Sequence, residues 1–245
     1  MLPVRDSQNR VEGGDQRYMD ISVFEIEPEK TVILLGDSKG QVHVFLFTPS
    51  NPTPQRVVTR DVHPTPILCV DLCFANGRLF GFAGTAAGDL LFFDVTSLIL
   101  LKSDDLLVRE VKSVHVMGIN DLRVLLRGQY LFCVSVGDDQ SLQITQFACE
   151  SDDIVFVSKK SYAGVSGTSL RSLCSVKSGV YFTGWEQVVQ RWIWMSEGLV
   201  VAGRCEVQVP ETGCIDMIEE SGCALGAVCG AMGIEVFEYS ILFAV

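Results

Sequence analysis

Apolar strands that end in glycine recur five times along this chain, and each is followed by a short polar turn and a second strand. Apolar and polar positions alternate only in part within these strands, which is typical of strands buried on both faces. The first glycines of the five copies lie 48, 53, 47 and 46 residues apart, at Gly36, Gly84, Gly137, Gly184 and Gly230.

This period predicts an all-β fold, a WD40-type β-propeller. Four-stranded propeller blades repeat at roughly 40–50 residues, and one blade cannot bury its own faces without neighbours. We expect about five four-stranded blades between a flexible lead-in and a short tail. The expected bounds are 1–16 for the lead-in, 17–61, 62–112, 113–160, 161–210 and 211–239 for the blades, and 240–245 for the tail.

Five blades predict an incomplete ring. Propellers usually have about 4–8 blades, and about seven is the familiar number for WD repeats. Either this is the last part of a longer protein whose other blades close the ring, or it is a short product with an open edge; we favour the former. An open propeller leaves unpaired edges and an uncovered blade face, which favour aggregation.

Two segments between predicted strands are less regular. Residues 48–54 are rich in turn residues, and an outer strand is expected near 55–59. The three prolines of this segment belong in a loop or at a strand edge, because proline cannot donate to a strand ladder. The long mixed segment 96–112 is compatible with a short helix or an outer strand.

Charge and cysteine usage narrow the class of protein. A formal net charge of −11 argues against a broad basic surface for nucleic acid. The nine cysteines are an odd number without a C-x-x-C pair, and three scattered histidines make no zinc-finger signature. The first residues are polar and resemble no signal peptide. We expect a cytoplasmic protein with no membrane and no DNA as partner.

Candidate catalytic groups are few. The paired carboxylates Asp138-Asp139 and Asp104-Asp105 lie in a predicted turn and a polar connector, where aspartate is ordinary turn chemistry. His115 lies at the start of a blade, where a histidine bonded to a turn aspartate is the expected role. Without a nucleophile elbow or a P-loop, we expect no enzyme, no cofactor and no metal. A propeller hydrolase or lactonase would need carboxylates and a metal near the axis, and the sequence lacks the ligand spacing for such a site, which disfavours this class of enzyme.

Three tryptophans fall in the fourth repeat. Trp192 and Trp194 occupy alternate positions of a predicted strand, where packing inside or between blades is the favoured role. Trp185 falls in the turn, beside a strand that carries Arg191, and is the better surface candidate. Tryptophan and arginine are enriched in binding hot spots.

Four segments resemble a WD-repeat family. They are residues 15–21 (Asp-Gln-Arg-Tyr-Met-Asp-Ile), 115–122 (His-Val-Met-Gly-Ile-Asn-Asp-Leu), the 187–192 strand, and the ending 223–237. In order and spacing they are similar to the C-terminal propeller of the large cytoplasmic WD-repeat subunit that partners a tRNA 2′-O-ribose methyltransferase. The resemblance extends loosely over residues 15 to 239.

The resemblance implies a non-catalytic scaffold role. The partner methyltransferase would modify the wobble nucleotide of certain tRNAs with S-adenosylmethionine, and this chain would bind the enzyme and contact tRNA only indirectly. The main alternative is a general WD-repeat adaptor, in ubiquitin ligation or trafficking, with no tRNA role. Residues at the starts of blades and in the fourth turn are the candidate partner-binding positions: Arg17, Tyr18, His115, Asn120, Arg171 and Trp185.

Overall fold

A computed structural model describes residues 16–101, 106–150, 153–220 and 223–240. The predicted lead-in (1–16), apart from Gln16, lies outside the described residues, as does the predicted tail beyond residue 240. The Asp104-Asp105 pair lies outside them too.

The described residues form five antiparallel sheets that pack in chain order as the blades of a β-propeller, which confirms the predicted fold. The first strand of each blade contacts the first strand of the next, so these strands are the innermost. The first two blades contain β1 (Tyr18–Glu27), β2 (Lys30–Asp37), β3 (Gln41–Thr48), β4 (Asn51–Asp61), β5 (Ile67–Ala75), β6 (Arg78–Thr85), β7 (Leu90–Asp94), a helix α1 (Val95–Leu101) and β8 (Arg109–Val111).

The irregular segments differ from the sequence expectation in one respect. The strand β4 begins at Asn51 rather than near residue 55, and it includes Pro52 and Pro54, which were expected in a loop or at a strand edge. Both prolines are exposed on a strand that pairs only with β3, so the missing N–H groups face a free edge and cost no ladder bond. The second segment holds both of its expected elements, a short helix and a short outer strand.

The remaining blades follow the same order. The third and fourth have four strands each, and the fifth has three within the described residues. These strands are β9 (Ile119–Arg127), β10 (Tyr130–Gly137), β11 (Leu142–Cys149), β12 (Ile154–Tyr162), β13 (Leu170–Val176), β14 (Gly179–Gly184), β15 (Val188–Met195), β16 (Gly198–Glu206), β17 (Thr212–Glu220), β18 (Cys223–Gly230) and β19 (Gly233–Ser240).

The core lies between blades rather than within them. Four clusters of buried apolar side chains each combine residues of two consecutive blades. Each blade therefore relies on its neighbours to remove its faces from water. Representative pairs across the four interfaces are Leu34 with Ile67, Phe82 with Leu131, Leu142 with Leu173, and Val189 with Ile215.

A polar side chain on the inner strand also bridges each of these interfaces. In each case a carboxylate or hydroxyl oxygen accepts a hydrogen bond from a backbone N–H on the inner strand of the next blade. The bond satisfies a donor that no strand of its own sheet can reach. The four bonds are Val70 N to Asp20 Oδ2 at 2.8 Å, Val124 N to Asp71 Oδ2 at 2.8 Å, Leu173 N to Asp121 Oδ2 at 2.8 Å, and Ile215 N to Ser172 Oγ at 3.3 Å.

The connectors between blades are tethered in a second repeated way. The turn between the second and third strands of each of the first four blades holds a residue with positive φ, and its carbonyl accepts an N–H from the connector to the next blade. Glycine fills this position in the first two turns, and glutamine in the next two. The four tethers are His63 N to Gly40 O, His115 N to Gly88 O, Val165 N to Gln140 O, and Val207 N to Gln187 O.

The first and fifth blades each keep one apolar face in solvent. On β1 the side chains of Ile21 and Val23 are each 56% exposed. On the fifth blade the registers place several apolar side chains on a single face, of which Ile234 is 72% and Val236 64% exposed. We call these surfaces the open faces. They correspond to the expected incomplete ring and leave apolar patches that favour association.

The turn tethers predict that two substitutions at equivalent turn positions differ in their effect on stability. Gly88 has a φ of 85°, and a Cβ at this residue would lie 2.3 Å from the carbonyl oxygen of His115. We expect Gly88→Ala to lower the free energy of unfolding by more than about 2 kcal/mol, because the backbone itself must shift. Gln140→Gly removes the strain of a positive φ at an exposed residue and should stay within about 1 kcal/mol of the wild type. Chemical denaturation of both variants checks this, and equal losses would contradict it.

The exposed apolar side chains of the open faces predict that charged substitutions at these positions reduce self-association. We expect Ile234→Lys with Val236→Lys to reduce concentration-dependent association without lowering the melting temperature, because both side chains are already mostly in water. Light scattering across a concentration series measures the association. Val201→Lys, at a valine that is 55% exposed on β16, is the matched control and should leave association unchanged.

Candidate functional site

Three of the six predicted binding residues meet where the third and fourth blades adjoin. Asn120 lies on β9, Arg171 on β13, and Trp185 in the turn after β14. The guanidinium carbon of Arg171 lies 4.5 Å from the centroid of the Trp185 ring. Half of the Trp185 surface is exposed, at 51%. We call the group formed by these residues and Asp138 the Trp185 patch.

Asp138 holds the patch together from the turn between β10 and β11. Its Oδ1 accepts a hydrogen bond from Asn120 Nδ2 at 2.8 Å and another from the Ser169 hydroxyl. Asn120 Nδ2 also lies 2.7 Å from the Leu170 carbonyl oxygen, and Arg171 Nη1 lies 3.5 Å from Asp138 Oδ1. These contacts cross between two blades, so packing of the blades fixes the position of the arginine under the tryptophan.

The patch borders a cavity on the propeller axis. The cavity has a volume of about 660 Å³ and receives residues from all five blades. Asn120 and Arg171 belong to its lining, together with Asp20, Leu68, Asp121 and Cys214. A cavity of this size falls within the roughly 300–1,000 Å³ range of small-molecule pockets.

Buried carboxylates surround one cation at the same axis. Burial raises the pKa of Asp121 to about 6, although Arg123 and the hydrogen bonds from Leu173 and Ser172 favour its charged form. Burial also raises the pKa of Asp20 and of Asp71. The attraction of these three carboxylates raises the pKa of Arg123 against the opposing effect of its own burial. The carboxyls of Asp20 and Asp121 and the guanidinium of Arg123 therefore meet in the cavity wall, where burial disfavours the charged form of each.

The raised pKa of Asp121 predicts a pH dependence of stability. Below about pH 4 this carboxyl is protonated in both the folded and the unfolded chain, and between about pH 4 and 6 only the unfolded chain ionises freely. The free energy of unfolding should therefore fall as pH rises through this window, by on the order of 3 kcal/mol from Asp121.

Asp121→Asn should remove this contribution, because asparagine keeps an oxygen acceptor but does not titrate. Denaturant unfolding of both proteins at pH 4, 5, 6 and 7 measures the difference in free energy. A constant difference across the series would contradict the expectation.

His115 is buried and not at the surface. Its Nε2 lies 2.9 Å from the Ser135 hydroxyl oxygen, and its Nδ1 lies 2.9 Å from Asp139 Oδ1, with none of the side chain exposed. Burial alone would raise the pKa of Asp139, but the hydrogen bonds of His115 and Ser141 hold it well below its usual range. This is the structural contact with a turn aspartate expected for His115.

The first blade contains a related contact that sequence reasoning missed. His43 Nε2 lies 2.8 Å from Asp37 Oδ2, and its Nδ1 lies 2.9 Å from the Thr59 hydroxyl oxygen. The predicted binding residue Tyr18 presents its ring edge to His43, with centroids 5.3 Å apart. Arg17 is exposed, and its backbone N–H donates to the Ser38 hydroxyl oxygen at 3.0 Å. The sequence signal for the contact between His43 and Asp37 was the position of this aspartate, directly after the strand-ending Gly36.

The other tryptophans of the fourth blade pack against neighbouring side chains. Trp192 is buried, and Trp194 lies with its ring centroid 5.1 Å from that of Phe132. Two exposed apolar residues beside His115, Val116 and Met117, were not selected from the sequence. Their only signal was an apolar pair at the start of a blade.

Comparisons with known proteins support the fold and nothing finer. No family model matches the chain, and no curated protein matches it. Many solved structures do match. One is a computationally designed protein, Ika8, with a TM-score of 0.56 and 15% sequence identity over 85% of this chain. The chain spans about half of that protein's length, at 55%. Within the described residues, no helix is long and apolar enough to cross a bilayer.

Proposed function

We propose that the protein is a non-catalytic propeller scaffold that binds a protein partner at the Trp185 patch. The observation that carries the proposal is the stacking of Arg171 on a half-exposed tryptophan at the mouth of the axial cavity. A propeller fold is typical of scaffold and adaptor proteins, whose loops present a rigid surface.

The Trp185 patch has the composition and the preorganisation of a binding hot spot. Tryptophan and arginine are enriched among residues whose truncation costs more than about 2 kcal/mol of binding energy. The stacking on Trp185 and the ion pair with Asp138, whose carboxylate is itself fixed by a hydrogen bond from Asn120, restrict the arginine before any partner arrives. Less side-chain entropy therefore remains to be lost on binding. This chain has a net charge of −11, which favours a partner protein with a basic surface and disfavours direct contact between this chain and RNA phosphates.

The sequence resemblance supplies a candidate partner, a tRNA 2′-O-ribose methyltransferase. In this proposal the enzyme carries the S-adenosylmethionine chemistry in the cytoplasm, and the propeller holds it in place beside the anticodon stem-loop of its tRNA. The support comes from the order and spacing of the four segments named above, of which 115–122 includes Asn120 of the Trp185 patch. A general adaptor role shares the fold and the patch but not this partner.

Affinity capture tests the site and the partner together. We expect the tagged chain to capture the methyltransferase from cytosol, and Trp185→Ala to reduce recovery by at least about 10-fold, because a hot-spot tryptophan contributes about 2 kcal/mol or more. Mass spectrometry quantifies recovery. Met195→Ala, at a methionine of the same blade that is 57% exposed, is the matched control and should capture normally.

The outcomes separate the two levels of the proposal. If the Trp185→Ala variant still captures the methyltransferase, the partner is supported and the Trp185 patch is ruled out as its binding site. If the wild type captures an unrelated complex and Trp185→Ala does not, the patch is supported as a binding site, and the adaptor role replaces the tRNA role. Chaperones alone would count against a scaffold made from these five blades.

A further inference from the structure

Three side chains with metal-binding atoms meet beside the connector from the first to the second blade. His63 lies in that connector, Asp89 in the turn between β6 and β7, and Glu110 on the short outer strand β8. One ligand atom from each lies within 4.8 Å of the other two. We propose that these residues form a binding site for a divalent metal ion of the zinc type.

The Nε2 atom of the His63 imidazole faces both carboxylates of this cluster. Only 9% of the side chain is exposed. Its Nε2 lies 3.4 Å from Asp89 Oδ2 and 3.4 Å from Glu110 Oε1, and within the described residues it makes no hydrogen bond. Good N–H···O bonds are about 2.9–3.0 Å long, so both separations are long for direct bonds.

The same separations suit an ion held between the three atoms. Zinc binds histidine nitrogen and carboxylate oxygen at about 2.0–2.2 Å. Two ligands at about 2.1 Å in tetrahedral geometry are roughly 3.4 Å apart, which is the spacing from Nε2 to each carboxylate. Three protein ligands leave a fourth position for water.

Surrounding contacts orient each ligand. The Thr65 hydroxyl oxygen lies 2.9 Å from His63 Nδ1, and the Thr65 backbone N–H donates to the same nitrogen at 3.2 Å. Metal binding at Nε2 requires the ring proton to move to Nδ1, which would then donate to the Thr65 hydroxyl oxygen in place of accepting the backbone N–H. Metal-binding histidines commonly donate their other N–H in this way.

Each carboxylate likewise uses one oxygen elsewhere and turns the other towards His63. Asp89 Oδ1 accepts a hydrogen bond from the Ser113 backbone N–H at 2.7 Å. Glu110 Oε2 lies 3.6 Å from Lys112 Nζ. A mixed set of imidazole and carboxylate ligands suits a divalent transition metal. The ion would fasten β8, a strand of only three residues, to the connector of the preceding blade.

The competing arrangement is a protonated His63 paired with both carboxylates and no metal. Titration with Co²⁺, whose visible absorption reports a site with few ligands, separates the two. We expect one Co²⁺ per chain, displaced by Zn²⁺. Zn²⁺ should raise the melting temperature of the wild type, since it binds only the folded site.

Variants of the ligands and of their neighbours should change the affinity for Co²⁺ in both directions. Glu110→Gln and His63→Gln should each weaken Co²⁺ binding by at least about 100-fold, and Thr65→Val by about 10-fold because it only orients the imidazole. Lys112→Gln should strengthen binding a few-fold, since it removes a cation beside Glu110. Glu211→Gln, at an exposed carboxylate elsewhere, is the control and should bind normally.

Three results would overturn the site. One is the absence of Co²⁺ binding at millimolar metal, and another is Co²⁺ binding that persists in Glu110→Gln. The third is Co²⁺ binding that disappears in Cys214→Ser together with a near-ultraviolet thiolate band, since Cys214 is an exposed free thiol. Because Glu110 lies at the surface, its variant decides the question even if His63→Gln does not fold.

Discussion

The structure depends on the contact between one blade and the next. Each sheet has apolar side chains on both faces, so a single blade cannot remove its own surface from water. At two of the four junctions, the inner-strand oxygens of Asp71 and Asp121 each accept a hydrogen bond from a backbone N–H of the following blade. Burial raises the pKa of both carboxyls, so the bonds are formed against a desolvation cost. On the fifth blade, the apolar face that no other described blade covers stays in water.

The candidate binding surface is a product of the same packing. Asp138 belongs to the third blade, whereas Arg171 and Trp185 belong to the fourth, so the ion pair between Asp138 and Arg171 crosses the junction of the two blades. In the proposed function, a partner would contact this junction as well as the turn that carries Trp185. Any change that separates these two blades should weaken recognition as well as stability, which distinguishes a propeller surface from a flexible peptide motif.

The glycine period was sufficient to predict the blades, because a strand, a turn and a second strand repeat at a spacing typical of propellers. The surface position of Trp185 followed from its place in a turn. The pairing of Arg171 with Trp185 was not predictable, since one sequence does not state which side chains meet across two blades. Pro52 and Pro54 delayed the predicted start of β4, because proline is compatible with either a loop or a strand edge, and a single sequence does not decide between the two.

His63 and His115 show how one backbone frame supports two kinds of chemistry. Both donate their backbone N–H to the carbonyl of a glycine with positive φ in the preceding turn. Around His115, a hydroxyl and a carboxylate lie 2.9 Å from the two ring nitrogens and close the site. Around His63 one nitrogen has such a partner, and the other faces two carboxylate oxygens at 3.4 Å. The repeat fixes where each imidazole lies, and the side chains of the adjoining turn and outer strand determine whether it is a closed structural contact or a metal ligand.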